Sequence, residues 1–326
     1  MTSIPNTANT TARALRSLGR YGVLIALALL IVFGALRYDG FLGAYNISSV
    51  LRYNSMFAII SLGMAFVIMT GGIDLSVGSV VACSSVIAAL LSPYGWFVAL
   101  LVPILAGTLL GFINGVVITR LGILPFIATL AMLLAARGLG LILAGNQSVG
   151  VASEGGFTAI GQGDFLGLPI PVIIMFVLFA LGWLILERTG FGRHILALGG
   201  NEEATRLMGL NVNALKVSVY TLSGALAGLA GVILAAQFGA GQPTEGLGWE
   251  LSAIASVVVG GTLLTGGLGS IGGTLAGALL LGLIFNVLNF ENGRGVISLS
   301  AYWQSVIRGF FLLIVVILQN RSNPPR

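Results

Sequence analysis

The run WFVALLVPILAGTLLGFINGVVIT, residues 96–119, decides what kind of protein this is. It holds no charged residue and exceeds the roughly 20 apolar residues with which an α-helix crosses a bilayer. Comparable apolar runs occupy 21–36, 50–70, 75–91, 123–144, 169–186, 215–238, 251–264, 271–290 and 302–318. The 326 residues are 57% hydrophobic and 8% charged, where a soluble domain carries roughly 25% charged residues. Such a surface is solvated mainly by lipid. The expected fold is an all-α polytopic membrane protein with about ten transmembrane helices. A polar tail at 1–20 precedes a single transmembrane domain at 21–320, and 321–326 form a short second tail.

The 48 glycines fit that reading. Helices in lipid associate by close backbone approach at small residues, and glycine breaks a membrane helix where backbone lines a cavity. The second and third runs, and the eighth and ninth, meet at short Gly-rich joints, so either pair can be a broken or re-entrant helix. Gly71-Gly72…Gly78 and Gly266-Gly267…Gly272-Gly273 share a pattern that suggests an internal repeat with related breaks.

One cysteine, Cys83, and one histidine, His194, allow no intrachain disulfide and no zinc site. Cys83 reads as core and His194 as surface; no catalytic residue and no metal ligand is expected. The net charge of +5 does not point to nucleic acid, because the basic residues are confined to particular segments. With the N-terminus inside, the inner segments hold Arg13, Arg16, Arg20, Arg120, Arg188, Arg193, Arg206, Lys216, Arg321 and Arg326. The outer segments hold Arg37, Arg52 and Arg294, along with Glu154, Asp164, Glu245 and Glu291. The positive-inside rule therefore places both termini in the cytoplasm. The first 20 residues lack a cleavage site after a short apolar stretch and read as a retained tail.

The largest inner segment, 187–213, contains a short capped helix. Asn201 is a good N-cap, Glu202 and Glu203 favour the first turn, and Gly209 ends it. It is too short and too polar to span. It is either a connector on the membrane surface or a helix that docks in a cleft of a soluble partner.

Absent residues narrow the energy source. A phosphate-binding loop needs Gly-Lys-Ser/Thr, and the only lysine, Lys216, follows Leu215. Ion-coupled carriers place carboxylates or histidine within their spans, whereas Asp74 and Glu250 lie at span edges here. A passive channel, or a permease driven by separate ATPase subunits, remains.

Thr70-Gly71-Gly72-Ile73-Asp74-Leu75-Ser76-Val77-Gly78-Ser79 resembles the signature of permease subunits of ribose-type ABC importers. The resemblance continues through Pro125-Phe126-Ile127-Ala128-Thr129-Leu130, Arg137-Gly138 and Arg188-Thr189-Gly190-Phe191-Gly192. It extends over Ala197–Arg206, Gly209–Asn213, Gln242-Pro243-Thr244 and Ile254–Thr262, most of 55–320. It implies a dimer with a second permease copy or a paralogue, embedded in membrane lipid, and a bacterial inner-membrane location. It also implies two ATPase subunits, which bind ATP and Mg while this chain carries no cofactor, and a periplasmic sugar-binding protein. The implied ATPase-coupling segment comprises Gly199, Gly200, Asn201, Glu202, Glu203, Ala204, Arg206 and Gly209. The implied mechanism is alternating access, with a monosaccharide such as ribose as solute. The alternatives are the same machine serving branched-chain amino acids, and an ATP-independent channel or facilitator.

Candidate path or gate residues are Gly72, Asp74, Ser76, Asn114, Arg137, Glu250 and Asn286. Asp74 reads as an N-cap of the helix from Leu75 or as a contact to sugar hydroxyls. Arg137 reads as a carbonyl clamp or as an ion-pair partner of Glu250. Asn114 and Asn286 read as amides that bond across helices or line the path.

Overall fold

The computed structural model describes residues 7–293 except 153, together with 303, 306, 307, 309, 310, 313 and 317. Helix α1 (Thr7–Arg37) is followed by α2 (Ala44–Met69) and, after a break at 70–76, by α3 (Val77–Leu91). A 3-10 turn (Ser92–Tyr94) leads to α4 (Trp96–Arg120) and α5 (Pro125–Ala144). The next connection holds β1 (Val149–Gly150), the short α6 (Ala159–Gln162), β2 (Asp164–Phe165) and β3 (Leu168–Pro169). Then come α7 (Ile170–Arg188), α8 (Gly190–Gly200), α9 (Glu202–Leu207) and α10 (Val212–Phe238). Strand β4 (Ala240–Gly241), α11 (Trp249–Val259) and α12 (Ile271–Gly293) complete the continuous part. The strands only clip loops together: β1 pairs with β4 and β2 with β3, both antiparallel.

Among the described residues seven helices are long and apolar enough to cross a membrane: α2, α3 with its 3-10 turn, α4, α5, α7, α10 and α12. The expected count of ten is not reached, for three different reasons. The eighth expected run is cut short, because Gly260 and Gly261 close α11 after 11 residues. The first is described as an apolar stretch only over Gly22–Arg37, although its helix begins at Thr7, inside the expected tail. The tenth, at 302–318, lies outside the continuously described residues.

Helices α2, α3 and α10 form the centre, and their side chains are mostly buried; α4 and α5 turn most of theirs outward. Met64, Ile68, Val80, Tyr220 and Ile233 are among the fully buried side chains of that centre. The closest helix pair is α4 against α10, and glycine makes it so. Gly107, Gly111 and Gly115 of α4 lie against the backbone of Gly224, Gly228, Tyr220 and Val217. A Cβ at Gly111 would overlap the carbonyl oxygen of Tyr220. Without a hydrophobic drive between helices in lipid, such small-residue seams supply the contact.

Sidedness is internally consistent with the charge pattern. Arg37 pairs with Glu291 at 3.6 Å and Arg52 with Asp164 at 2.8 Å, all four residues assigned to one side. Lys216 pairs with Glu202 at 2.7 Å, both assigned to the other.

The helices before the two Gly-rich breaks end in the same way. At the end of α2, Gly71 has φ +80 and donates to Ile68 O, and Gly72 donates to Val67 O. At the end of α11, Gly261 has φ +90 and donates to Val258 O, and Thr262 donates to Val257 O. Both are Schellman endings, which need a left-handed residue that glycine adopts without strain. The same ending closes α5 at Gly145 and α9 at Gly209, so it does not by itself relate the two breaks. The second loop, 262–270, is longer than the first, 72–76.

Candidate functional site

The break between α2 and α3 is a buried polar knot. The Asp74 carboxylate accepts from the Ser76 amide (3.0 Å) and hydroxyl (2.6 Å) through Oδ1, and from the Ser223 hydroxyl of α10 (2.8 Å) through Oδ2. Asn114 Nδ2 of α4 donates to Ser76 Oγ at 3.0 Å. All four side chains are about 1% exposed. Asp74 is thus not the N-cap of α3; Ser76 holds that position, and Asp74 closes an Asx turn onto it. Gly72 lets the Tyr220 ring approach: a Cβ there would overlap the Tyr220 hydroxyl, which donates to Ile73 O at 3.4 Å. The structure therefore gathers Gly72, Asp74, Ser76 and Asn114 in one place and adds Ser223, which the sequence did not single out.

Arg137 and Glu250 approach the same region from α5 and α11 without pairing. Arg137 Nη1 donates to the carbonyl oxygens of Pro243 and Glu245, each at 2.6 Å. Among the described residues no Arg137–Glu250 ion pair forms within 4.0 Å, and Arg137 clamps these two carbonyls instead. The arginine finds peptide oxygens in the loop before α11 first. Glu250 instead stands in the first turn of α11 beside Gly78, where a Cβ would crowd its carboxylate and the carbonyl of Gly246. Asn286 is separate again: it exchanges hydrogen bonds with Asn46 of α2 at 3.2 and 2.9 Å.

The capped segment is built as two helices, not one. Thr189 caps the amphipathic α8, accepting from Gly192 N, and this helix was not foreseen. Asn201 then caps α9, its Oδ1 accepting from Ala204 N at 2.9 Å, and the buried Thr205 hydroxyl donates to Asn201 O at 2.7 Å. Glu202 accepts from Lys216 of α10 (2.7 Å) and from Arg206 (3.2 Å), which fixes α9 to the bundle. Those contacts, the Lys216 hydrogen bond foremost, hold the Glu202 carboxyl below its ordinary value. Glu203 and Ala204 face solvent. Past the last turn, Gly209 takes φ +81. Leu207 and Met208 are 84% and 65% exposed, an apolar tip on an otherwise charged helix.

Gly199 and Gly200 join this segment to the breaks. A Cβ on Gly199 would overlap Met69 O and Gly267 N, and one on Gly266 would press on Gly71 and Gly199. The Gly267 amide donates to Met69 O at 3.0 Å. Backbone from the α2 ending, the α8 end and the loop before α12 meets here with no side chain between.

Residues 46–316 match the family described as branched-chain amino acid transport system / permease component. The chain belongs to this permease family. The permease is 42% identical over 301 residues to the ribose import permease protein of Haemophilus influenzae, covering 91% of each chain. It is 41% identical over 313 residues to that of Bacillus subtilis, covering 93% of this chain and 94% of the relative. With the L-arabinose transport system permease protein of Escherichia coli it shares 36% identity over 325 residues, 97% and 96% of the two chains. No solved structure matches the permease. Two structural features of the permease escaped the sequence reading. The exposed Leu207–Met208 tip was readable as apolar residues directly after a charged, capped turn. The three-way glycine contact had no local signal, because its partners come from three distant parts of the chain.

Proposed function

We propose that this permease is the membrane-spanning subunit of an ABC importer that carries a monosaccharide, ribose or a similar pentose, into the cytoplasm. The solute class is supported by the full-length similarity to ribose and arabinose permeases. The observation that carries the mechanism is α9. It is capped, tied to α10 through Glu202–Lys216, and ends in exposed Leu207 and Met208. An amphipathic helix held rigidly at its base and apolar at its tip suits a groove in a soluble partner. In this reading the partner is an ATPase subunit that binds ATP and Mg at the cytoplasmic face. A periplasmic sugar-binding protein delivers solute at the opposite face, and a second permease copy or paralogue completes the path. Both termini are cytoplasmic, and the membrane is the bacterial inner membrane.

Force from the ATPases would enter at α9 and pass through Gly199 to the breaks at 70–76 and 260–270. Those are the points where the spans are already interrupted. Alternating access follows from rocking α3 and α12, the helices that leave these loops, about them. The test is Leu207→Asp in the permease–ATPase complex in nanodiscs. Loss of ATPase co-purification, or of hydrolysis stimulated by the loaded binding protein, is expected. Unchanged assembly and stimulation would remove α9 from the mechanism.

A further inference from the structure

A cavity of about 260 Å³ lies between the first half of α2 and the second half of α12. Its lining is unusual for an apolar bundle: Asn46, Asn54, Asn286 and Asn289 contribute amides, Ser49 a hydroxyl and Tyr53 an aromatic ring. None of the described lining residues is charged. Asn46 and Asn286 hold each other through reciprocal hydrogen bonds. Asn54 is different. It is 4% exposed and borders the cavity without sharing that pair. Across from it α12 carries Gly282, where a Cβ would overlap the Asn54 amide itself. The bundle thus makes room for an amide at the cavity wall.

We propose that this cavity is a binding subsite for the neutral sugar, with Asn54 and Asn286 as hydrogen-bonding contacts. This rests on the import function proposed above and deepens it. A carboxamide both donates and accepts, which matches sugar hydroxyls that do the same. The described part of the lining carries no charge, which suits a neutral polyol better than a zwitterionic amino acid. The site lies on the side of Arg37–Glu291 and Arg52–Asp164, where the binding protein delivers solute in that reading.

The test uses the full importer with its ATPases and binding protein in proteoliposomes. Asn54→Leu keeps the shape of the side chain and removes its hydrogen bonds; pentose uptake is expected to fall at least tenfold. In Ser49→Cys, the introduced thiol is expected to react with a water-soluble maleimide at least fivefold more slowly in saturating D-ribose or L-arabinose. L-leucine is expected to give no protection. Cys83 is buried and contributes no background. Uptake within twofold of wild type, or a thiol protected by neither sugar, would overturn the subsite while leaving import intact. If Asn54→Leu fails to assemble, the protection measurement decides alone. Protection by leucine and not by sugar would also overturn the subsite, and a wild-type importer that moves no sugar would instead defeat the functional reading beneath it.

Discussion

Single glycines carry opposite burdens in this molecule, and two neighbours show it. Gly199 sits with its Cα against Met69 O and Gly267 N, whereas nothing lies within 4 Å of a Cβ on Gly200. Gly199→Ala must push backbone apart at the three-way junction, and overpacking of this kind costs about 1–3 kcal/mol. Gly200→Ala meets open space in a helical conformation and should be neutral or stabilising by up to about 1 kcal/mol. Thermal unfolding of the two variants in detergent checks this; equal behaviour would mean the junction is not load-sensitive. The sequence marks both residues as glycine beside the Asn201 cap and cannot separate them. Their difference comes from Met69 and Gly267, far away along the chain. Asp74 was legible as a special residue, and its neighbours Ser76 and Asn114 were too. Its anchoring by Ser223 was not, since a serine in the apolar α10 looks like any small helix-packing residue.

At the scale of elements, the length of the apolar runs gave the long spans to within several residues, because about 20 uninterrupted apolar residues leave few alternatives. The failures occurred where glycine ends a helix early, as in α11, and where loops between spans carry helices of their own, as in α8. The α4–α10 seam was present in the sequence as glycines at 107, 111 and 115 facing those at 224 and 228. Gly111→Val should separate the pair and destabilise the permease by at least about 1–3 kcal/mol; a wild-type melting temperature would contradict the seam. The α9–α10 tie is sensitive to acid. Glu202 is depressed in the folded protein, chiefly by the Lys216 hydrogen bond, so its contribution is present above the ordinary carboxylate value. It is lost as pH falls through the lower folded value. Lys216→Met should therefore flatten the acid limb of a stability-versus-pH curve. An unchanged acid limb would show that the ion pair contributes nothing there.

For the whole molecule, the parts divide by task. The seam of α4 and α10 and the knot at Asp74 are closely packed and buried, while the breaks at 70–76 and 260–270 are the interruptions through which motion would pass in the proposed mechanism. The segment α8–α9 touches both breaks at Gly199 and offers Leu207–Met208 outward. Seven spans are evident among the described residues, and a charge-poor, glycine-rich chain with one misplaced lysine already argued for a path without its own ATPase. The central claim is that sugar movement through this chain is driven by separate ATPases acting on α9. Uptake of labelled pentose into proteoliposomes holding the permease, its ATPases and the sugar-loaded binding protein tests it most directly. Uptake should require ATP and should fall to background in Leu207→Asp. Equal uptake without ATP, or in that variant, would contradict the account and make the chain a channel.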